Sequence, residues 1–82
     1  MTFTSRLDQA QVAVLESLGP GGILSVESLA KSAALTMWRT RNAVSKLSSR
    51  GLITGRRRAG HAEWQITDRG RRTLSTRGRY YR

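Results

Sequence analysis

Residues 25–53 read SVESLAKSAALTMWRTRNAVSKLSSRGLI, and this run decides the fold. Ser25 is a natural N-cap, because its side-chain oxygen can accept from the free amides of a first helical turn. Behind it Val26, Leu29, Ala30 and Ala33 recur on one face, and Glu27 and Lys31 pair at i, i+4 on the other. That spacing predicts a short helix over about residues 26–32. Ala33-Ala34-Leu35 leaves room only for a tight connection. Thr36 then caps a longer helix over about residues 37–50, with Thr40, Ala43, Val44 and Leu47 as its inward stripe and Gly51 as its stop. Trp38, Asn42, Ser45 and Ser49 lie opposite that stripe. Arg41 flanks one side of them, and Arg39 and Lys46 flank the other.

Working outward toward the N-terminus, Leu7, Ala10, Val14, Leu15 and Leu18 fall on one helical face. They predict a helix over about residues 6–18, capped by Thr4 or Ser5 and ended by Gly19-Pro20. Val12 stands about 140° from Leu7 on the helical wheel, so it is expected either exposed or on a partner surface. Ile23-Leu24 is long enough only for a bridge of strand. Toward the C-terminus, Leu52-Ile53 opens an extended segment running to Arg57, residues 58–61 turn, and Ala62, Trp64 and Ile66 alternate with Glu63 and Gln65. This is a β-hairpin whose tip carries Arg56, Arg57 and Arg58. A regular strand alternates those arginines, so one is expected to point back toward the sheet. Thr67 caps a last short helix anchored by Leu74. The domain is read as residues 1–74, and residues 75–82, STRGRYYR, as a basic tail without periodicity that is expected to be flexible.

Composition narrows the function classes. The chain has 82 residues, enough for one small domain, and no cysteine, which excludes disulfides and thiolate metal sites. No apolar run approaches a membrane span, and MTFTSRLDQAQ lacks the charge-then-apolar order of a signal peptide. The expected setting is therefore the cytoplasm. The formal net charge is +10, from 15 Lys+Arg against 5 Asp+Glu. The distribution is uneven. Residues 1–35 carry Arg6 and Lys31 against Asp8, Glu16 and Glu27, a net −1. Residues 36–82 carry thirteen basic residues against Glu63 and Asp68, a net +11. Such a half calls for a polyanionic partner. Thirteen of the fifteen cations are Arg, whose fork fits phosphates and guanine edges, although a GC-rich genome also favours Arg over Lys.

The order of helix, short strand, helix, tight turn, helix, basic hairpin and short helix resembles a winged helix-turn-helix DNA-binding domain, over about residues 7–74. The pattern is similar to that of MarR-type and related bacterial regulators. In those, a helix ends in Leu-x-x-x-Gly-Leu-Ile/Val, an arginine-rich hairpin follows, and an aromatic-x-Ile/Leu-Thr-x-x-Gly segment closes the domain. Here these parts are Leu47 to Ile53, Arg56 to His61, and Trp64 to Gly70. The resemblance implies an α+β fold, with a three-helix core, a C-terminal hairpin wing and a short final helix. Two residues depart from the pattern. Ala34 stands where the turn often has Gly, so a slightly different turn is expected. Thr40 stands where Val or Ile is usual, so a thin core is expected beneath the third helix. The long extra helices with which MarR proteins dimerise have no counterpart here, and the effector pocket is not carried over.

The expected function is sequence-specific binding of double-stranded DNA by a small regulator of a bacterium or its phage, associated with the nucleoid. The third helix would enter the major groove, where each base pair shows its own donor and acceptor pattern. The wing arginines would meet phosphates or the minor groove. The candidate DNA-binding residues are Thr36, Trp38, Arg39, Arg41, Asn42, Ser45, Lys46, Arg56, Arg57, Arg58 and His61. Two readings stay open for Trp38, packing over the turn or contact with nucleic acid. Met37 is expected in the core. Arg69, Arg71 and Arg72 are open between backbone contact and solvation. Scattered carboxylates, a lone histidine and the absence of a phosphate loop or nucleophile–base pair argue against an enzyme, a cofactor and a metal. With Val12 and Phe3 as the only spare apolar groups, a monomer is expected in free solution, with any pairing on DNA. The alternatives are an architectural, excisionase-like factor, a protein-interaction winged helix docking on an acidic partner, and an RNA- or ribosome-associated protein.

Overall fold

The computed structural model describes residues 5–75 and 79–80. Its elements run β1 (Ser5–Arg6), α1 (Gln9–Leu18), β2 (Leu24–Ser25), α2 (Val26–Ala33), α3 (Met37–Ser49), β3 (Ile53–Arg58), β4 (His61–Ile66), α4 (Asp68–Ser75) and β5 (Arg79–Tyr80). This is the α+β winged helix-turn-helix arrangement. The three helices α1–α3 enclose a core of Leu7, Val14, Leu15, Leu18, Leu29, Val44 and Leu47. The hairpin root adds Leu52, Ile53 and Ile66 to the same cluster.

The start of α1 differs from the expectation. The N-cap is Asp8, whose carboxylate accepts from the Gln11 amide at 2.8 Å while Gln11 Oε1 accepts from the Asp8 amide at 3.4 Å. This reciprocal box satisfies the buried Gln11 side chain, and a carboxylate there also meets the positive end of the helix dipole. Ser5 lies in β1 instead, and Thr4 is outside the described residues. Val12 is neither exposed nor left over: it is half-buried against the core. Helix α1 is contacted by α2, α3 and α4, so its buried arc is wider than one stripe.

The turn between α2 and α3 has glycine-type geometry without glycine. Ala34 adopts φ 57° and ψ 46°, the left-handed conformation. The next amide, Leu35, donates back to the Ala30 carbonyl at 2.9 Å. An L-residue holds this conformation at a cost of about 1–2 kcal/mol. Beyond it, Thr36 Oγ1 accepts from the Arg39 amide at 3.1 Å and starts α3 as expected. Thr40, Ala43, Val44 and Leu47 are all buried. The core beneath α3 is not thin. Thr40 is fully enclosed, and its hydroxyl donates to the Thr36 carbonyl at 2.8 Å, so no polar group is stranded.

The sheet is antiparallel with strand order β2-β4-β3. Ala59 and Gly60 both have positive φ, 51° and 81°, and form the two-residue hairpin loop at the centre of the expected turn over residues 58–61. Thr67 seats α4 on this sheet: its hydroxyl donates to the Gly51 carbonyl at 2.7 Å and accepts from the Gly70 amide at 3.1 Å. A side chain at Gly70 would meet the Leu52 carbonyl, so the close approach of α4 requires glycine. The tail was expected to lack structure, yet Arg79 and Tyr80 pair antiparallel with Arg6 and Ser5. A two-residue strand carries no periodicity that a sequence reading can detect. The remaining tail residues after Ser75, among them Arg77, Tyr81 and Arg82, and also Phe3, lie outside the described residues.

Candidate nucleic-acid interface

The inward stripe fixes the rotation of α3, and that rotation decides what the helix shows. Trp38 precedes Thr40 by two residues, about 200° around the helix, so burying Thr40 turns Trp38 outward. Trp38 is 74% exposed, which removes the reading in which it packs over the turn. Thr36, Arg39, Arg41, Asn42, Ser45 and Lys46 are exposed with it. Met37, expected in the core, is half-buried at the edge of α2.

The wing projects beside α3. Arg56, Arg57, Arg58 and His61 are all exposed, so no arginine folds back into the sheet. The register nevertheless alternates them. Directly opposed residues share a face, which groups Arg57, Ala62, Gly55 and Trp64 on one side and Arg58, His61, Arg56 and Glu63 on the other. The Arg57 side is the core side, but the strands outrun the core at that point. Ile53 and Ile66 are buried at the root, whereas Trp64 is half-buried and is the last large apolar group before the tip. Its ring covers Gly55 so closely that a Cβ there would lie 2.6 Å from it.

Helix and wing meet in two shallow clefts. Arg41 shares one with His61 and Ala62 of the wing and with Glu27 of α2. Ser48 shares the other with Thr54, Arg57 and Trp64. Arg39, Asn42 and Trp38 border a third cleft, against Asp8 and Gln11 of α1, away from the wing. The structure therefore joins Arg41 to His61 but separates Arg39 from the wing. Ser48 was missed among the candidates. It lies seven residues after Arg41, on the same flank of the helix, and that spacing is the signal that would have found it.

The α4 arginines divide. Arg71 donates from its guanidinium to the Gly19 carbonyl at 3.1 Å, tying α4 to the turn after α1. Arg69 and Arg72 are exposed. Among the described residues no group of His, Cys, Asp or Glu could hold a metal ion, and no helix is long and apolar enough to cross a membrane.

No protein-family model and no curated protein sequence matches the chain. Solved structures do. A structure of Bordetella bronchiseptica BpsR, described in work on regulation of its DNA binding by 6-hydroxynicotinic acid, is similar at 26% identity and TM-score 0.81, covering 88% of this chain and 53% of that one. A MarR family transcriptional regulator from Silicibacter pomeroyi is similar at 26% identity and TM-score 0.74, covering 85% and 51%. BldR from Sulfolobus solfataricus, a transcriptional regulator, is similar at 25% identity and TM-score 0.76, covering 85% and 52%. The fold is thus that of the winged helix-turn-helix domains of MarR-type transcriptional regulators. The chain spans about half the length of the structures it matches.

Proposed function

We propose that this chain is a double-stranded DNA-binding transcriptional regulator that reads sequence through α3. The observation that carries the reading is the exposed face of α3, with Arg39, Arg41, Asn42, Ser45 and Lys46 displayed beside a wing whose three arginines are also exposed. A buried inner stripe with a polar, cationic outer face is what a helix entering the major groove requires. Arg41 and Asn42 suit bidentate contacts to guanine and adenine, each such pair contributing about 1–3 kcal/mol of discrimination. Thr36, at the start of the helix, and Arg39 and Lys46, on its far flank, suit phosphates. Arg56, Arg57, Arg58 and His61 suit the backbone or minor groove next to it. The similar regulators described above support the same reading.

The test is the salt dependence of duplex binding. Neutralising about six to eight phosphates gives a slope of log K against log salt of roughly −5 to −7. A slope near zero rejects DNA as the partner.

The protein is further proposed to be a monomer in free solution. Val12 is taken up by the core, and among the described residues only Ile23 and Trp38 are large apolar groups left exposed, at 38% and 74%. Two side chains do not make a standard interface of about 1,600 Å². A charge of +10 opposes self-association without DNA. Sedimentation of the free protein at tens of micromolar in moderate salt is expected to give the monomer mass, and a stable dimer under those conditions overturns the proposal. Placement in the cytoplasm, on the nucleoid, follows from the same DNA-binding reading.

A further inference from the structure

Trp38 borders a shallow cleft against Asp8 and Gln11 of α1 but is not buried by it. It is 74% exposed, and the helix would keep its cap, its inward stripe and its buried threonine without it. Its surface neighbours on α3 are Arg39, Arg41, Asn42 and Ser45, all exposed and all polar. An apolar protein partner requires a contiguous apolar patch, and a lone indole among cations and amides is not one. The face around it is complementary to nucleic acid instead.

Resting on the proposed DNA-binding function, we infer that Trp38 is a specificity-determining residue that reads the C5-methyl group of thymine in the major groove. Among the features that the base edges display in the major groove, the thymine methyl is the one sizeable apolar group, the cytosine C5–H at the equivalent position being far smaller. Among the exposed outward residues of α3, every side chain is polar except Trp38. Its place at the second residue of a 13-residue helix puts it in the N-terminal turns, which are the part of a recognition helix that reaches base edges. An indole suits this task because it presents a large rigid apolar surface with only two side-chain torsions to immobilise. Arg41 and Asn42, three and four residues further on, read adjacent polar edges, so the apolar contact fixes the register of the polar ones.

The experiment starts from duplexes selected by the protein from a randomised library. In the recovered duplex each thymidine is replaced singly by deoxyuridine, which removes the methyl and leaves the pairing edge intact. Binding of the wild-type protein is expected to fall by about three- to tenfold at one or two thymines and to be unchanged at the others. Trp38→Ala is expected to weaken the selected duplex by about tenfold or more while altering random duplex by less than about twofold, and to abolish the sensitivity to deoxyuridine. Trp38→Phe is expected to retain part of that sensitivity. The exposure of Trp38 means that neither change threatens folding, which circular dichroism checks. If a sequence is selected but no thymine responds, or if the deoxyuridine effect persists in Trp38→Ala, the inference is overturned while the DNA-binding reading stands. If Trp38→Ala weakens selected and random duplexes equally, Trp38 is a non-specific stacking contact and the inference again fails. If no duplex is bound at all, the underlying reading falls and takes this one with it.

Discussion

Helices α1 and α3 are built on the same plan and put to opposite uses. Each begins at a side-chain N-cap, Asp8 for α1 and Thr36 for α3, and each turns an inward face to the common core. Helix α1 buries five of its ten residues and carries one charged side chain, Glu16. Helix α3 buries four of its thirteen and carries Arg39, Arg41 and Lys46 with no acid. α1 is held between α2, α3 and α4, so even Val12, off its main stripe, is drawn into the core. α3 packs on α1, α2 and β3 through its inward stripe; Met37 and Ser48 are half-buried at its edges, and Trp38, Arg39, Arg41, Asn42, Ser45, Lys46 and Ser49 are exposed. The contrast lies in how much of each helix is enclosed: half of α1, and less than a third of α3.

The comparison predicts that α1 variants lose stability and α3 surface variants lose binding. The largest effect is expected from Leu15→Ala. Leu15 is fully buried, and its truncation is expected to cost about 2–5 kcal/mol in urea unfolding. Ser45→Ala, on the outer face of α3, is expected to change stability by less than about 0.5 kcal/mol. Equal losses for the two would break the division of labour.

Smaller and more diagnostic is the pair of binding variants. Asn42→Ala or Arg41→Ala is expected to cost about 1–3 kcal/mol on a selected duplex and much less on random DNA. Arg57→Ala is expected to weaken both by similar amounts, because the wing is proposed to contact backbone or minor groove rather than major-groove base edges. Equilibrium titration of both duplexes decides. If the α3 variants also weaken both alike, the chain is an architectural binder and not a reader of sequence.

The smallest effect sharpens the turn that orients α3. Ala34→Gly removes the left-handed strain at φ 57° and is expected to raise stability by a net of about 0.5–1 kcal/mol, after the entropy cost of glycine. Thermal unfolding measures this, and a loss of stability would show that the turn is not strained as described.

Much of the exposed face of α3 was legible in the sequence because α3 advertises its rotation. The periodic set Thr40, Ala43, Val44 and Leu47 fixes which side is in, and the candidate residues follow by subtraction. The cap residues Ser25 and Thr36 were legible for the same local reason, since a cap acts within three residues of chain. The start of α1 was not. Asp8 and Gln11 box each other while Ser5 is drawn into a strand with Tyr80, and that pairing joins the two ends of the chain. The fate of Arg71 was equally hidden, because its partner Gly19 is 52 residues away.

The sequence by itself determined the order of the elements from α1 to α4, the inner stripes of α1 and α3, the caps of α2 and α3, and the segregation of positive charge into residues 36–82. These depend on local spacing and on composition, which act along the chain. The tertiary structure alone decided that Trp38 faces solvent, that Val12 does not, and that no wing arginine returns to the sheet. It also decided which cations share a cleft, placing Arg41 beside His61 and Arg57 beside Ser48. Each of these depends on what occupies the space next to a side chain, on where the core runs out beneath the hairpin, and on how closely Gly70 lets α4 approach. Periodicity gives the direction of a side chain relative to its own helix or strand, and only the packing of the neighbouring elements says whether that direction ends in core, in a cleft or in water.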